Sequence, residues 1–214
     1  MNPELIILDM DGTLADTSPG MLESYRYVAD WLGRDRPDDE EMFSRMGGSL
    51  HENISRIYGL DAEETQRAVD AYRDYYGREG YLQSVLYPGM LELLEYARSK
   101  EISVSIATMK LEEIAVSQVR HWGIGDLFQS VNGSDMFGAM SKSDIIDRAI
   151  YRSGVSPCNA IMVGDSPNDL HGARKSGVPF LAVTYGYGFT KEICEDNGID
   201  YAESPQGIMR KIFP

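Results

Sequence analysis

Cysteine is almost missing from this 214-residue chain: Cys158 and Cys194 are the only two, in no CxxC spacing and with no histidine cluster nearby. That usage fits incidental thiols in a reduced, cytoplasmic protein. Positive charge is also scarce, with 20 Lys and Arg against 34 Asp and Glu, a net charge of −14 and a pI near 4.6. Such a balance argues against nucleic acid or an anionic membrane surface as the main partner. It does not exclude a phosphate substrate, because a metal ion and a few cationic side chains reverse the potential locally. Long apolar runs are absent as well, the longest being about four to six residues where ~20 are needed to cross a bilayer. No basic start followed by an apolar stretch marks a secretory leader, since Glu4 and Asp9 bracket Leu5 to Leu8. No internal repeat or low-complexity segment is visible. Hydrophobic content of 43% and charged content of 25% are ordinary, and the length suits one core carrying a smaller satellite domain.

What is present begins at residue 5. The apolar run Leu5-Ile6-Ile7-Leu8 ends in Asp9-Met10-Asp11-Gly12-Thr13-Leu14, which places two carboxylates where a buried strand meets a loop. Carboxylates are costly to bury unpaired, and a bound divalent cation is the simplest reason for two of them there. The arrangement is a phosphoryl-transfer site in outline. Taken alone, the same residues also read as a polar turn after a strand.

After Leu14 the pattern turns helical: Met21, Leu22, Tyr25, Val28, Ala29 and Leu32 recur at helical spacing until Gly33 and the run Asp35 to Pro37. Residues 38–46, 50–58 and 62–77 read as further helices, and no strand signal occurs between Leu14 and Tyr87. Beyond Tyr87-Pro88-Gly89 helices and short apolar strands alternate. Strands are expected at Ile102 to Ala107, Phe128 to Val131, Ala160 to Val163 and Pro179 to Val183. Helices are expected at Met90 to Ser99, Leu111 to Trp122, Lys142 to Ser153, Pro167 to Ser176, Thr190 to Asn197 and Pro205 to Ile212. This order predicts an α/β protein, a Rossmann-like parallel sheet with helices on both faces, plus a small all-helical domain inserted after the first strand. Residues 1–17 and 88–214 form the expected core and residues 18–87 the insertion.

Ligands of such sheets bind beyond the carboxyl ends of the strands. The polar residues there are Asp9 and Asp11, Thr108 after Ser103 to Ala107, and Asp165 after Ile161 to Gly164, with Asp169 one turn later. Lys142 opens a helix in Ser141-Lys142-Ser143-Asp144. Singly, each has an ordinary reading: Thr108 as a helix N-cap, Lys142 as a solvated helix residue, Asp165 as a cap for the helix near Pro167, a role Asp169 is too late to play. Lys110 reads as a surface residue or a backbone contact.

Together, in this order, these motifs resemble the haloacid dehalogenase superfamily of phosphatases: Asp-x-Asp-Gly-Thr-Leu, a strand-terminal Thr, a downstream Lys and Gly-Asp-x-x-x-Asp, spread over essentially the whole chain. The resemblance implies that Asp9 is the nucleophile, forming an aspartyl-phosphate, and that Asp11 is the general acid and then base. It implies that Thr108, the Met109 backbone N–H and Lys142 hold the phosphoryl oxygens. It makes Asp165 a Mg²⁺ ligand with a side-chain oxygen of Asp9 and the backbone carbonyl of Asp11. Asp169 falls to a supporting place, orienting a metal water or Lys142.

The helical insertion is similar to the small cap of that family. It holds eight arginines and no lysine between Ser18 and Tyr87. Most are expected to pair with the abundant acids on the surface, while Arg45, Gly47 and Gly48 resemble the cap loop that selects substrate. An ordinary helix-ending glycine turn is the alternative for that loop. His51 reads as a surface or helix-start residue, and Asp38 to Glu41 as the acidic first turn of a helix.

Within the superfamily, Asp11 argues against a dehalogenase, the missing cap lysine against phosphonate hydrolysis, and the absence of His from Asp16 to Met21 against a sugar phosphomutase. The loop Thr184-Tyr185-Gly186-Tyr187-Gly188, with Asp200-Tyr201 and Ser204-Pro205 beyond it, looks like the phosphoglycolate phosphatase-like branch. The expected substrate is a small phosphorylated metabolite, with no nucleic acid or membrane partner; a homodimer is left open. A nucleotidase or pyrophosphatase on the same fold is the alternative. A phospho-receiver module and a catalytically idle binding protein stand further off.

Overall fold

A computed structural model describes residues 3–43, 49–136 and 139–213. Arg45, Gly47 and Gly48, the expected selecting loop, lie outside the described residues. The chain runs β1 (Leu5–Leu8), β2 (Ala15–Asp16), α1 (Ser18–Leu32), α2 (Asp39–Phe43), α3 (Leu50–Tyr58), α4 (Ala62–Arg78), β3 (Val85–Leu86), α5 (Met90–Ser99) and β4 (Ser103–Leu111). It continues through α6 (Glu112–His121), β5 (Ser130–Ser134), α7 (Lys142–Ser153), β6 (Ala160–Gly164), α8 (Pro167–Lys175), β7 (Phe180–Val183), α9 (Lys191–Asp196), β8 (Tyr201–Ala202) and α10 (Pro205–Ile212). Two compact units result, Met1–Asp16 with Leu86–Pro214, and Thr17–Val85.

In the first unit six strands pair in the order β5-β4-β1-β6-β7-β8, and every pair is parallel. β1 lies inside the sheet between β4 and β6, and all four of its residues are fully buried. Successive side chains point to opposite faces. Ile6 and Leu8 join one apolar cluster with Leu93 and Leu94 of α5, Ala115 and Val119 of α6 and Ile208 of α10. Leu5 and Ile7 join another with Ile145, Ile146 and Ala149 of α7 and Ala173 of α8. Burial on both faces explains why β1 reads as an unbroken apolar run, and truncating Ile6 or Ile7 to Ala would cost about 2–5 kcal/mol.

Several departures from the sequence reading concern strands, the extension of β4 to Leu111 and the short β8 among them. Two-residue strands β2 and β3 lie between Leu14 and Tyr87, where none is expected. β5 sits at Ser130–Ser134, two to three residues later than the apolar run Phe128 to Val131 suggests. Its polar residues bond into the sheet edge: Asn132 Nδ2 donates to the Ile106 carbonyl at 2.8 Å and Ser130 Oγ to Ser105 Oγ at 3.0 Å.

The second unit is helical and rich in tyrosine. Tyr25, Tyr58, Tyr72 and Tyr76 are buried, Tyr25 and Tyr72 pack with ring centroids 5.0 Å apart, and the Tyr58 hydroxyl donates to the Tyr25 carbonyl at 2.6 Å. An Asp61–Glu64 capping box starts α4. Among its arginines, Arg26 pairs with Glu23 and Asp39, Arg36 with Asp30, and Arg78 with Asp74.

Candidate active site

Each sequence-selected side chain of the first unit sits at a carboxyl end of the sheet or at a helix start beside it. Asp9 follows β1, its N–H bonded to the Val163 carbonyl of β6 at 2.9 Å. The chain then turns back at Gly12, whose φ of 77° suits glycine, and the Gly12 N–H closes the turn on the Ala15 carbonyl at 3.0 Å. Asp165 follows β6. Ser166, not an aspartate, caps α8, and Asp169 completes the capping box, its Oδ2 accepting from the Ser166 N–H at 3.0 Å and Oγ at 2.6 Å. Asp169 therefore belongs to the cap after all, at its third position.

Lys142 is the hub. Its Nζ lies 2.6 Å from Asp9 Oδ1 and 2.6 Å from Asp169 Oδ1, with only 3% of its side chain exposed, which excludes a solvated helix lysine. Burial opposes its charge, but Asp169 and Asp9 outweigh that and hold the ammonium above its ordinary range. Burial lifts the Asp9 carboxyl well above the usual carboxylate range; Lys142 opposes the rise, and Asp169, Asp165 and Asp11 add to it. Asp165 is pushed up to about 7, by burial first and Asp169 next, against the Tyr187 N–H and Lys142.

One oxygen from each of Asp9, Asp165 and Asp169 lies within 4.8 Å of the others, and all three residues are buried. One ammonium serves these three crowded, buried carboxyls, and burial and mutual repulsion favour protonated Asp9 and Asp165. Hard oxygen donors at this spacing fit Mg²⁺, which would supply positive charge there. Asp169 is the least available of the three, because Lys142 takes one of its oxygens and Ser166 the other.

Thr108 lies inside β4, 1% exposed, with its Oγ1 accepting from the Lys110 N–H at 3.2 Å; α6 starts four residues later, so Thr108 is not its cap. Met109, on the opposite side of the strand, is 41% exposed.

Lys110 corrects the sequence reading most. Its side chain is largely buried, and its Nζ pairs with Asp11 Oδ1 at 2.5 Å and donates to Gln118 Oε1 at 2.9 Å. The sequence carried no plain signal for it: the apolar run stops at Ala107, whereas β4 continues to Leu111 with a shift of register against β5.

The tyrosine loop after β7 also serves the site. The Tyr187 N–H donates to Asp165 Oδ2 at 2.7 Å, the Tyr187 hydroxyl to Asp16 Oδ1 at 2.9 Å, and the Tyr185 hydroxyl to the Thr13 carbonyl at 2.9 Å. At Gly186 a Cβ would overlap the Gly12 carbonyl oxygen and lie 2.5 Å from Asp165 Cβ. Only glycine lets the loop close on the turn that carries Asp9 and Asp11.

The haloacid dehalogenase-like hydrolase family model matches residues 6–183. Tyrosine-protein kinase PtkA of Mycobacterium tuberculosis is 32% identical over 87% of this chain, which spans only 64% of that protein. A 5'-nucleotidase of Pseudomonas aeruginosa is 30% identical, covering 88% of this chain and 86% of that one. A phosphoglycolate phosphatase of Rhodospirillum rubrum is 31% identical, covering 86% and 81%. Among solved structures, a putative phosphatase from Clostridium difficile superposes with a TM-score of 0.90 at 28% identity, covering 100% of both chains. With the motif residues at the strand ends and the match running through nearly the whole sheet, the chain belongs to the haloacid dehalogenase-like hydrolases.

Proposed function

We propose that the protein is a Mg²⁺-dependent phosphatase that hydrolyses a small phosphomonoester of the phosphoglycolate type through a phosphorylated Asp9. The observation that carries this reading is the pairing of two aspartates two residues apart with two different lysines, Asp9 with Lys142 and Asp11 with Lys110. It supports separate tasks for two carboxylates of one turn.

Asp9 Oδ1 is held by Lys142, and Asp9 attacks phosphorus with its carboxylate while the bond from phosphorus to the ester oxygen breaks. Asp11 gives its proton to the departing alcohol. Water then attacks the aspartyl-phosphate, Asp11 takes the water's proton, and inorganic phosphate leaves with Asp9 restored. Thr108, the Met109 N–H and Lys142 are assigned to the phosphoryl oxygens. Asp9, Asp165 and the Asp11 carbonyl would hold Mg²⁺, which when bound supplies positive charge against the phosphoryl group. The Tyr187 N–H keeps Asp165 turned for that duty, and Asp169 orients Lys142. To the helical unit we assign the part of the cap, selecting among esters.

Assays of p-nitrophenyl phosphate with and without Mg²⁺, followed by a panel of phosphorylated metabolites, test the reading. Mg²⁺-dependent release of inorganic phosphate, with phosphoglycolate among the better esters, is expected. Preference for nucleoside monophosphates would move the substrate to the nucleotidase reading, which the likeness to a 5'-nucleotidase supports. A stable phosphoenzyme without turnover, or delivery of phosphate to a protein tyrosine instead of water, would overturn hydrolysis itself.

A further inference from the structure

Lys110 is a buried cation that the proposed mechanism leaves without a task. Its side chain is 8% exposed and reaches Asp11 from 99 residues away in sequence. Gln118, fully buried on α6, accepts from the same Nζ at 2.9 Å, so Asp11 and a neutral amide bind one ammonium from two sides. The backbone is pinned as well, since the Lys110 N–H donates to Thr108 Oγ1. The contrast with Lys142 is informative. Among the described residues, Lys142 bridges two acids, Asp9 and Asp169, whereas Lys110 joins the Asp11 carboxylate, through its Oδ1, to an uncharged amide.

An aspartate that passes a proton to a leaving oxygen must present one oxygen at a fixed place, and a quarter of the Asp11 side chain is open to solvent. A carboxylate on a loop turns readily about its last torsion unless something holds it. We propose that Lys110 is a positioning residue: by holding Asp11 Oδ1, with Gln118 steadying its own ammonium, it presents Oδ2 to the ester oxygen and then to the attacking water. The proposal rests on the acid–base reading of Asp11, and it gives Lys110 no contact with substrate.

The test is a set of variants, Asp11→Asn, Lys110→Met, Lys110→Arg and the double variant Asp11→Asn/Lys110→Met, each assayed with Mg²⁺ on p-nitrophenyl phosphate and on an alkyl phosphate. The nitrophenolate leaves without a proton, whereas the alkoxide cannot. Lys110→Met should lower kcat on the alkyl ester by ~10–100-fold, the scale of a misplaced catalytic group. KM should stay within about twofold, and formation of the phosphoenzyme from the nitrophenyl ester should change far less. Lys110→Arg should recover part of the alkyl activity, and the double variant should be no worse than Asp11→Asn.

A KM increase shared by both esters would make Lys110 a substrate contact and overturn the proposal. Equal losses in the rate of phosphoenzyme formation from both esters, with a lowered melting temperature, would make it a structural residue, and the proposal would fall equally. Additive losses in the double variant would also overturn it, since Lys110 would then act without Asp11. Should phosphoenzyme formation in Asp11→Asn show no dependence on the leaving group, the acid–base reading falls and this proposal falls with it. A silent Lys110→Met beside a leaving-group-sensitive Asp11→Asn removes only the proposal.

Discussion

Lys142 and Asp9 stand 133 residues apart in the chain and 2.6 Å apart in space, and Asp169 holds the same ammonium at 2.6 Å from the other side. The pair joins the end of the central strand to the start of α7. Removing the Asp9 charge tests it most directly. Asp9→Asn keeps the side-chain shape and leaves an oxygen for Lys142, so the fold should persist while phosphatase activity falls by more than ~100-fold, or ~2.7 kcal/mol in the barrier. Retention of about a tenth, a loss of only ~1.4 kcal/mol, would favour direct attack by water and demote Asp9 to a ligand.

Lys142→Met makes the complementary change. It strands Asp9 and Asp169 without their cation, and breaking a buried pair from one side costs about 3–5 kcal/mol. Ion-free protein should therefore melt lower than wild type by about 2–4 °C for each kcal/mol, and turnover should be lost even with saturating Mg²⁺. A variant that melts like wild type at about pH 7.5 and still turns over would show that the acids need no ammonium.

Much of this site is legible in the sequence, because its residues follow short apolar runs whose meaning is hard to mistake. β1 and β6 are buried on both faces and read as Leu5 to Leu8 and Ala160 to Val163; Asp9 follows the first at once and Asp165 follows the second after Gly164. Lys110 was not legible by the same rule. The apolar run stops at Ala107, while the strand continues to Leu111 through Thr108 and Lys110, whose burial depends on partners that the sequence does not display locally. β5 was displaced for a related reason: its buried Asn132 answers a hydrogen-bond need of the neighbouring strand instead of an apolar pattern. Strands of two residues, such as β2, β3 and β8, are too short for any periodicity to register.

The crowding of acids sets a pH dependence. Asp165 titrates near 7 in the folded, ion-free protein, above its unfolded value of about 3.9. Its folded form thus holds a proton that the unfolded chain gives up between those values, so stability falls as pH rises from about 4 to about 7. Asp9 shifts in the same direction. In EDTA, wild-type protein should melt lower at about pH 7.5 than at about pH 5.5, and Asp165→Asn should show a distinctly shallower drop. Mg²⁺ at the higher pH should restore the wild type and leave the variant nearly unchanged. Identical slopes for the two proteins would mean that Asp165 is not the group responsible.

Asp11 is the residue whose two duties can be separated in time. Asp11→Asn removes the proton donor and the later base but leaves Asp9, Lys142 and the acid cluster in place. An ester whose leaving group needs no proton should still phosphorylate Asp9, whereas hydrolysis of the intermediate, deprived of its base, should slow by ~10²–10⁴-fold. Phosphoenzyme should therefore accumulate after p-nitrophenyl phosphate is mixed with the variant, with a burst of nitrophenol close to one equivalent and little turnover after it. Mass spectrometry of acid-quenched protein should find the added phosphoryl group on the peptide containing Asp9. A burst without that added mass would place the phosphate elsewhere, and steady turnover without a burst would show that Asp11 is not the base for the second step.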